Sequence, residues 1–470
     1  MLRCTAVHRV HRVAERRGGV AVLTGLRLEN FKSWEDTGHV GLAPLTVFFG
    51  RNSSGKSSFL QSMLLMKQTA ESLDPRQVLN LGGGDAIVDL GTYYDIVLDH
   101  DVGRDVQLTF DWKLSDPVAL GDALFGPLLS DQLRFMTSVG LEQDDVLLKE
   151  IIVRQMEYRI GTENNQTVGM SHIQGRSYRL LANGITWAPR SINLVPAPIK
   201  CFAFPDVAFK AFSDGEVLGE LSHQFDELMT SLSSVGPLRS RPSRSYQWRG
   251  TRPSNVGPSG ENTVAALLAR SGRSAIEVPS PSSIDFHSMI GFWLKQMNVI
   301  DEFEIVELSA GASLYELRVI APGGTTSVPI IDVGFGVSQV LPVLVQAFYA
   351  EPDSTVILEQ PEIHLHPAAQ SVLGDALLAA VKENDVQLLV ETHSEHLLHR
   401  IQRRIAEEEI SKNDVALYFI DVENGRSEIH ELKVDEYGNI ANWPQDFFGD
   451  EIGDLAAMTE AAVERRDRHP

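Results

Sequence analysis

The feature that most constrains this chain is the string Gly50-Arg51-Asn52-Ser53-Ser54-Gly55-Lys56-Ser57, which fits G-x-x-x-x-G-K-[ST]. It follows LTVFFG, an apolar run that reads as a buried strand. It precedes SSFLQSMLLMKQTAESL, where Phe59, Leu60, Met63, Leu64 and Met66 fall near helical spacing. A strand, a glycine loop and a helix in that order make a phosphate-binding loop. The glycines let backbone N–H groups face a phosphate chain, and the helix adds its positive end. Lys56 neutralises β/γ oxygens, and Ser57 offers a hydroxyl to Mg2+. Average residue usage yields such a string by chance on the order of 0.02 times in a chain of this length, so a glycine turn beside a solvated lysine is the weaker reading. Gly50, Asn52, Ser53, Ser54, Gly55, Lys56, Ser57 and Ser58 are the expected cofactor-binding set, with ATP and Mg2+ as ligands.

A loop of this kind needs a metal-holding carboxylate at the end of a neighbouring buried strand, and Thr355-Val356-Ile357-Leu358-Glu359 supplies one. Glu359 is the expected magnesium ligand with Ser57, directly or through water. Beyond it, Gln360-Pro361-Glu362-Ile363-His364-Leu365-His366-Pro367 gathers an amide, an acid and two imidazoles where an attacking water would stand. One of these positions the water, or else Glu362 caps the next helix and the histidines pack in a loop. No further Cys/His set accompanies the two histidines to make a zinc site. The next strand, Val386–Val390, ends in Glu391-Thr392-His393-Ser394. His393 either senses a γ-phosphate or is a satisfied histidine at a helix start that Ser394 caps. In DVGFGVSQ, Gly334 and Gly336 permit close backbone approach, while Ser338 and Gln339 offer donors at a helix start.

Buried strands alternate with helices from Val328 onward, the pattern of a parallel α/β core. Four segments are expected. Residues 1–19 form an arginine-rich arm, disordered or a mis-started translation rather than a basic binding tail. Residues 20–113 form the lobe bearing the phosphate loop, with turns and β-hairpins over 78–113. Residues 114–327 form an α+β insertion, and 328–470 close the core. Within the insertion, strands are expected at Leu147–Tyr158 and Phe303–Ile320 and helices at Glu216–Ser233, Thr263–Arg270 and Ser288–Gln296.

Composition excludes several classes. Hydrophobic residues are 43% and charged residues 22%, which rules out disorder as the main state. The net charge of −22 argues against a surface that coats nucleic acid, and residues 351–470 alone carry 26 acids against 10 bases, so any DNA contact must be local. Cys4 and Cys201 are the only cysteines, too few for a disulfide framework, and a reducing cytoplasm is the expected location. No apolar run reaches the length of a membrane span, and no membrane partner is expected. Between 236 and 255, Arg239, Arg241, Arg244, Arg249 and Arg252 stand with no acid and with Tyr246 and Trp248 interleaved. This is either a phosphate-backbone stripe with stacking residues or an internal arginine network that binds the acidic lobe or a second copy.

The order GRNSSGKSS, a long insertion, DVGFGVSQVLPVL, VILEQPEIHLHP and VETHSEHLL resembles the ABC/SMC-like AAA ATPases related to the OLD (overcoming lysogenization defect) family, common in bacterial anti-phage operons. The boxes GPLRSRPSRSYQWRGTRPSNVGPSGE and GNIANWPQDFF extend the similarity to a subgroup, so that it covers most of Val20–Gly449. The resemblance implies an α/β P-loop head with a mixed sheet and a large α+β insertion between the P-loop and the signature loop. Two heads, or a higher oligomer, would sandwich ATP between one chain's P-loop and the other's signature loop. Carried over, Lys56 and Ser57 hold phosphates and magnesium, Glu359 takes the strand-end acid position, Ser338 matches the signature serine acting in trans, and His393 matches the switch histidine. Gln360 departs from the pattern, because related heads carry a glutamate there. An amide orients water but accepts no proton, so either Glu362 serves as base or turnover is slow. For the glutamine that related heads carry in the Q-loop, Asp95 is a weak match.

OLD nucleases carry a C-terminal nuclease domain, and the 77 residues after His393 are too few for one. The resemblance thus implies a switch subunit with a separately encoded effector, a nuclease or a toxin. The alternatives are an SMC-type DNA-repair ATPase, weakened by the lack of a long heptad arm, and an ATP-gated scaffold with little hydrolysis.

Overall fold

The computed structural model describes residues 21–84, 86–120, 128–142, 150–161, 166–186, 194–211, 215–270, 285–309, 311–444, 458 and 461. The N-terminal arm and the end of the GNIANWPQDFF box lie outside the described residues.

The strand Leu45–Gly50 sits inside a six-stranded sheet ordered Ser233–Val235, Thr355–Glu359, Gln387–Glu391, Leu45–Gly50, Val415–Glu423, Arg426–Glu431. Its first five strands run parallel and the last is antiparallel, which makes the sheet mixed. Its central strands read as unbroken apolar runs because both faces are covered, and side chains then alternate between two cores. Leu45, Val47 and Phe49 join Leu358 and Val390 in one core, with Val340, Leu344, Leu373, Leu377, Leu397 and Leu398 from the helices Phe335–Tyr349, Pro367–Asn384 and Glu395–Ala406. Phe48, Ile357 and Leu389 face the other way, toward Phe59, Leu60 and Met63 of the helix Lys56–Glu71. Each such buried side chain contributes about 1.5–3 kcal/mol relative to exposure. A slip of one residue would send every one of them to the wrong core.

The helix Lys56–Glu71 is buried along twelve of its sixteen residues. It shares its core with a ten-stranded antiparallel sheet that contributes Leu23, Leu26 and Phe110, and Trp34 of that sheet packs edge-on against Phe59. The path of that sheet runs Ile185–Thr186, Ser177–Ala182, Gln166–Gln174, Glu150–Ile160, Leu128–Glu142, Val106–Leu120, Ala21–Phe31, Trp34–Asp36. A covered helix of this kind needs no polar stripe, which is why its sequence shows little amphipathy.

Several expectations shift here. The boundary expected at 113 falls inside the strand Val106–Leu120, and the meander that follows extends the ladder begun by Ala21–Phe31. Ser233–Val235, expected within the insertion, pairs with Thr355–Glu359 at the edge of the P-loop sheet. The insertion therefore builds outward from both sheets, and no change in composition marks its start. The hairpins expected over 78–113 are a loop, the short helix Tyr93–Ile96 and a single strand, since Asp95 and Thr92 form a capping box that favours a helical turn. The strand expected over 303–320 is a hairpin, Glu302–Glu307 with Leu314–Ile320. The helices appear at Glu216–Ser231, Thr263–Arg270 and Phe286–Gln296. Among the described residues no helix is long and apolar enough to cross a membrane.

Gly50 ends its strand at φ 149, and a Cβ there would be driven into the backbone carbonyl oxygen of Ile420, its ladder partner. Gly38, at φ 62, has open space around it. Gly50→Ala should cost on the order of 2–4 kcal/mol and Gly38→Ala about 1 kcal/mol. Denaturant unfolding of both variants checks this, and equal losses would contradict it.

Candidate functional site

The turn between strand and helix requires unusual backbone angles, with Gly50 at φ 149, Ser53 at φ 61 and Gly55 at φ 107. Glycine meets the first and last without strain, whereas Ser53 holds a conformation that costs an L-residue about 1 kcal/mol. Trp34 and Ser427 stand behind Gly55, and the Trp34 indole donates to Ser58 Oγ at 3.1 Å. The loop is thus walled from behind by strands of both sheets. Phe59 N–H closes the first helical bond on Gly55 O at 3.0 Å, so the preceding amides have no helical acceptor. The Lys56 ammonium is buried and donates to Gly50 O at 2.9 Å and Arg51 O at 2.6 Å. Burial lowers its pKa, opposed by the charges of Glu391 and Glu362.

A cleft of about 680 Å³ opens over this loop, a volume suited to a nucleotide-sized ligand. Asn52, Ser53, Ser54, Gly55, Lys56, Ser57 and Ser58 line it, with Gly50 at the loop's entry. Gln360, Glu391 and His393 form its inner wall, and Lys32, Asp95, Asp99, His100 and Arg426 its outer part. Arg426 grips Asp99 with two 2.6 Å bonds, tying the last strand of the P-loop sheet to the other rim. Asp95 lines the cleft with its carboxylate already engaged by Thr92.

The two strand-end acids, Glu359 and Glu391, are register partners on adjacent parallel strands. They share the face that carries Ile357 and Leu389, the face toward the helix Lys56–Glu71. Ser57 Oγ donates to Glu391 Oε1 at 3.0 Å, so the acid that touches the P-loop serine is Glu391 and not Glu359. Glu391 is 2% exposed, and its second oxygen is buried with no hydrogen-bond partner. Burial raises its pKa, while Ser57, Lys56 and Gln360 favour the charged form. Burial and then the charge of Glu391 push the Glu359 carboxyl up to about 7, with Arg239 opposing.

Glu362 does not cap the next helix, and it stands behind the residues that line the cleft. It is buried, and Oε1 accepts the His393 backbone N–H at 2.8 Å, which joins the two strand-end loops behind the cleft. The cap of the next helix is His366, whose Nδ1 accepts from Ala368 N–H at 3.3 Å, while His364 is exposed at φ 64. His393 lines the cleft, and its pKa is lowered by burial and then by Lys56. Ser394 caps the helix Glu395–Ala406 through Leu397 N–H, so capping and cleft lining are divided between neighbours. Ser338 is buried in the first turn of its helix, and Oγ donates to Phe335 O at 2.9 Å. It does not line its own chain's cleft, whereas Phe335 at that helix start is 66% exposed.

The arginine segment is largely spent inside the chain. Arg239 is buried and donates to the carbonyls of Gln339 at 3.1 Å, Glu359 at 2.9 Å and Gln360 at 3.1 Å. Arg244 grips Asp332 with two bonds, and Arg252 pairs with Glu351 and Tyr349. Arg241, Arg244, Arg249 and Arg252 are all exposed.

The AAA ATPase domain family matches residues 22–163 and 282–398, more than half of the chain. A family described as protein of unknown function (DUF3696) matches 410–458, which includes the two outer strands of the P-loop sheet and Arg426. No curated protein matches. Among solved structures, an SMC head bound to the C-winged helix domain of ScpA is 12% identical, covering 88% of this chain and 98% of that one, at TM-score 0.43. The SMC head domain from Thermotoga maritima is 12% identical, covering 88% and 100%, at TM-score 0.39. An SMC head with an extended coiled coil, bound to the C-terminal domain of ScpA and derived from Pyrococcus furiosus, is 11% identical, covering 88% and 97%, at TM-score 0.41.

Burial lowers the Arg239 guanidinium pKa to about 10, and the charges of Glu362 and Glu359 oppose the shift. Arg239→Met should destabilise the chain by on the order of 2–5 kcal/mol, because it strands buried carbonyls and two acids. The double variant Arg241→Ala/Arg249→Ala should stay within about 0.5 kcal/mol of the parent. Denaturant midpoints of the two variants provide the comparison.

Proposed function

Because the chain belongs to the AAA ATPase domain family, we propose that its cleft binds ATP with Mg2+ and hydrolyses it to ADP and phosphate, and that this cycle switches a dimer between open and closed states. The observation that carries the reading is the convergence of Lys56, Ser57, Gln360, Glu391 and His393 on one cleft from three adjacent parallel strands. The buried, unpartnered oxygen of Glu391 beside Ser57 fits a site that receives a cation. When bound, magnesium held by Ser57 and a strand-end carboxylate would neutralise charge developing on the transferred phosphoryl group.

The chain's own residues divide the remaining work. Backbone amides of the P-loop and the start of the helix Lys56–Glu71 cradle the phosphates, with Lys56 leaving its loop carbonyls for phosphate oxygens. Ser57 holds the metal, with the acid drawn from the strand-end pair Glu359 and Glu391. Gln360 orients the attacking water from the inner wall, and His393 contacts the γ-phosphate. Glu362 fixes the His393 backbone. Ser338 and the exposed Phe335 serve a second copy, since the helix they begin does not reach its own P-loop.

The motif order that resembles OLD-related ATPases supports a place in bacterial anti-phage defence, with a separately encoded nuclease or toxin as effector. Internal pairing of Arg239, Arg244 and Arg252 leaves Arg241 and Arg249 as the positions of that segment open to DNA.

Steady-state ATP hydrolysis by the purified chain tests the reading. Lys56→Ala should abolish turnover, and Gln360→Ala should lower kcat by about 100-fold while ATP binding persists. Wild type and Lys56→Ala releasing phosphate at the same rate would overturn it. Light scattering should show a doubling of mass with ATP that Ser338→Arg prevents.

A further inference from the structure

We propose that Glu391, and not the strand-end acid Glu359, is the carboxylate that acts with Ser57 on the cation accompanying the nucleotide. The inference rests on the ATP-binding reading above and assigns a residue within that site.

Topology makes the first argument. Gln387–Glu391 lies between Thr355–Glu359 and the P-loop strand, so a carboxylate at its end stands one strand spacing, about 4.8 Å, nearer to Ser57. Register makes the second. Glu391 pairs with Phe48 and Glu359 with Glu391, so both acids occupy the same level and face, and the inner one meets the helix first. Contact makes the third, because the Ser57 hydroxyl already donates to Glu391 Oε1 at 3.0 Å.

The surroundings of Glu391 call for a cation. Its Oε2 is buried without a partner, a costly state for a carboxylate oxygen that a cation would relieve. Lys56 is a cation that acts on Glu391, and its ammonium is shared with the carbonyls of Gly50 and Arg51. Glu362 adds like charge at Glu391, and Glu391 in turn raises Glu359. The neutral amide at 360 then has a physical reason. Gln360 N–H donates to Glu391 O at 2.8 Å and its side chain favours the charged form of Glu391, whereas a glutamate there would add a further negative charge. The acid missing at 360 and the acid present at 391 are two parts of one arrangement.

The test is the gain in ATP affinity that magnesium provides, measured by titration calorimetry with Mg2+ and with EDTA. Glu391→Gln keeps an acceptor for Ser57 and removes the unpaired charge, so its melting temperature without nucleotide should equal or exceed that of wild type. The expected result is at least a tenfold loss of the magnesium-dependent gain in Glu391→Gln and less than a threefold change in Glu359→Gln. Ser57→Ala should match Glu391→Gln, and the double variant should lose no more than either alone. Loss in Glu359→Gln with Glu391→Gln unaffected would overturn the assignment and leave the ATP site standing, as would equal losses in both. Wild type that binds no ATP, or binds it equally well in EDTA, would overturn the site reading and this assignment with it.

Discussion

The parallel pairing of Leu45–Gly50 with Gln387–Glu391 holds the rest of this molecule in place. These segments lie at opposite ends of the chain, yet Leu388 through Glu391 align with Leu45 through Phe48. Every group proposed to act on a phosphate lies at the C-terminal edge that this pairing creates. The pairing is specified by side chains that must reach two different cores in alternation. Stability and chemistry thus depend on the same register, and the phosphate loop can be short and strained because its neighbours hold it.

What the sequence made legible follows from how local each signal is. The phosphate loop, its strand and its helix are written in one continuous stretch, Leu45 to Glu71, and they stand where the pattern puts them. The strands ending at Glu359 and Glu391 were readable for the same reason. Nothing local in the sequence singles out Glu391 over Glu359 as the neighbour of Ser57, because the order of strands in a sheet is a long-range property and VILE and LLVE look alike as strings. A usable sign was present all the same, since an acid closes a second apolar run while an amide follows the first. The middle of the chain was least legible, as its meander continues a ladder begun by Ala21–Phe31, and pairing across a hundred residues leaves no periodic mark. The arginine segment held both readings in sequence, and only burial separates Arg239, with its three carbonyls, from the exposed Arg241 and Arg249.

The carboxyls of Glu359, Glu362 and Glu391 show how a site can store unfavourable charge. Burial raises the pKa of each, and they are compensated by Lys56, Arg239 and a few backbone donors. Such a cluster is costly in an empty protein and fitting in a loaded one.

Arg239 gives this architecture a mechanical property. Its guanidinium bonds at once to the carbonyl of Gln339, in the helix that begins at Phe335, and to those of Glu359 and Gln360, where the strand Thr355–Glu359 turns. A planar fork of five donors has a fixed span, so it works as a strut between two otherwise separate pieces of backbone. The start of that helix and the turn carrying Gln360 are therefore kept at one spacing by a single side chain.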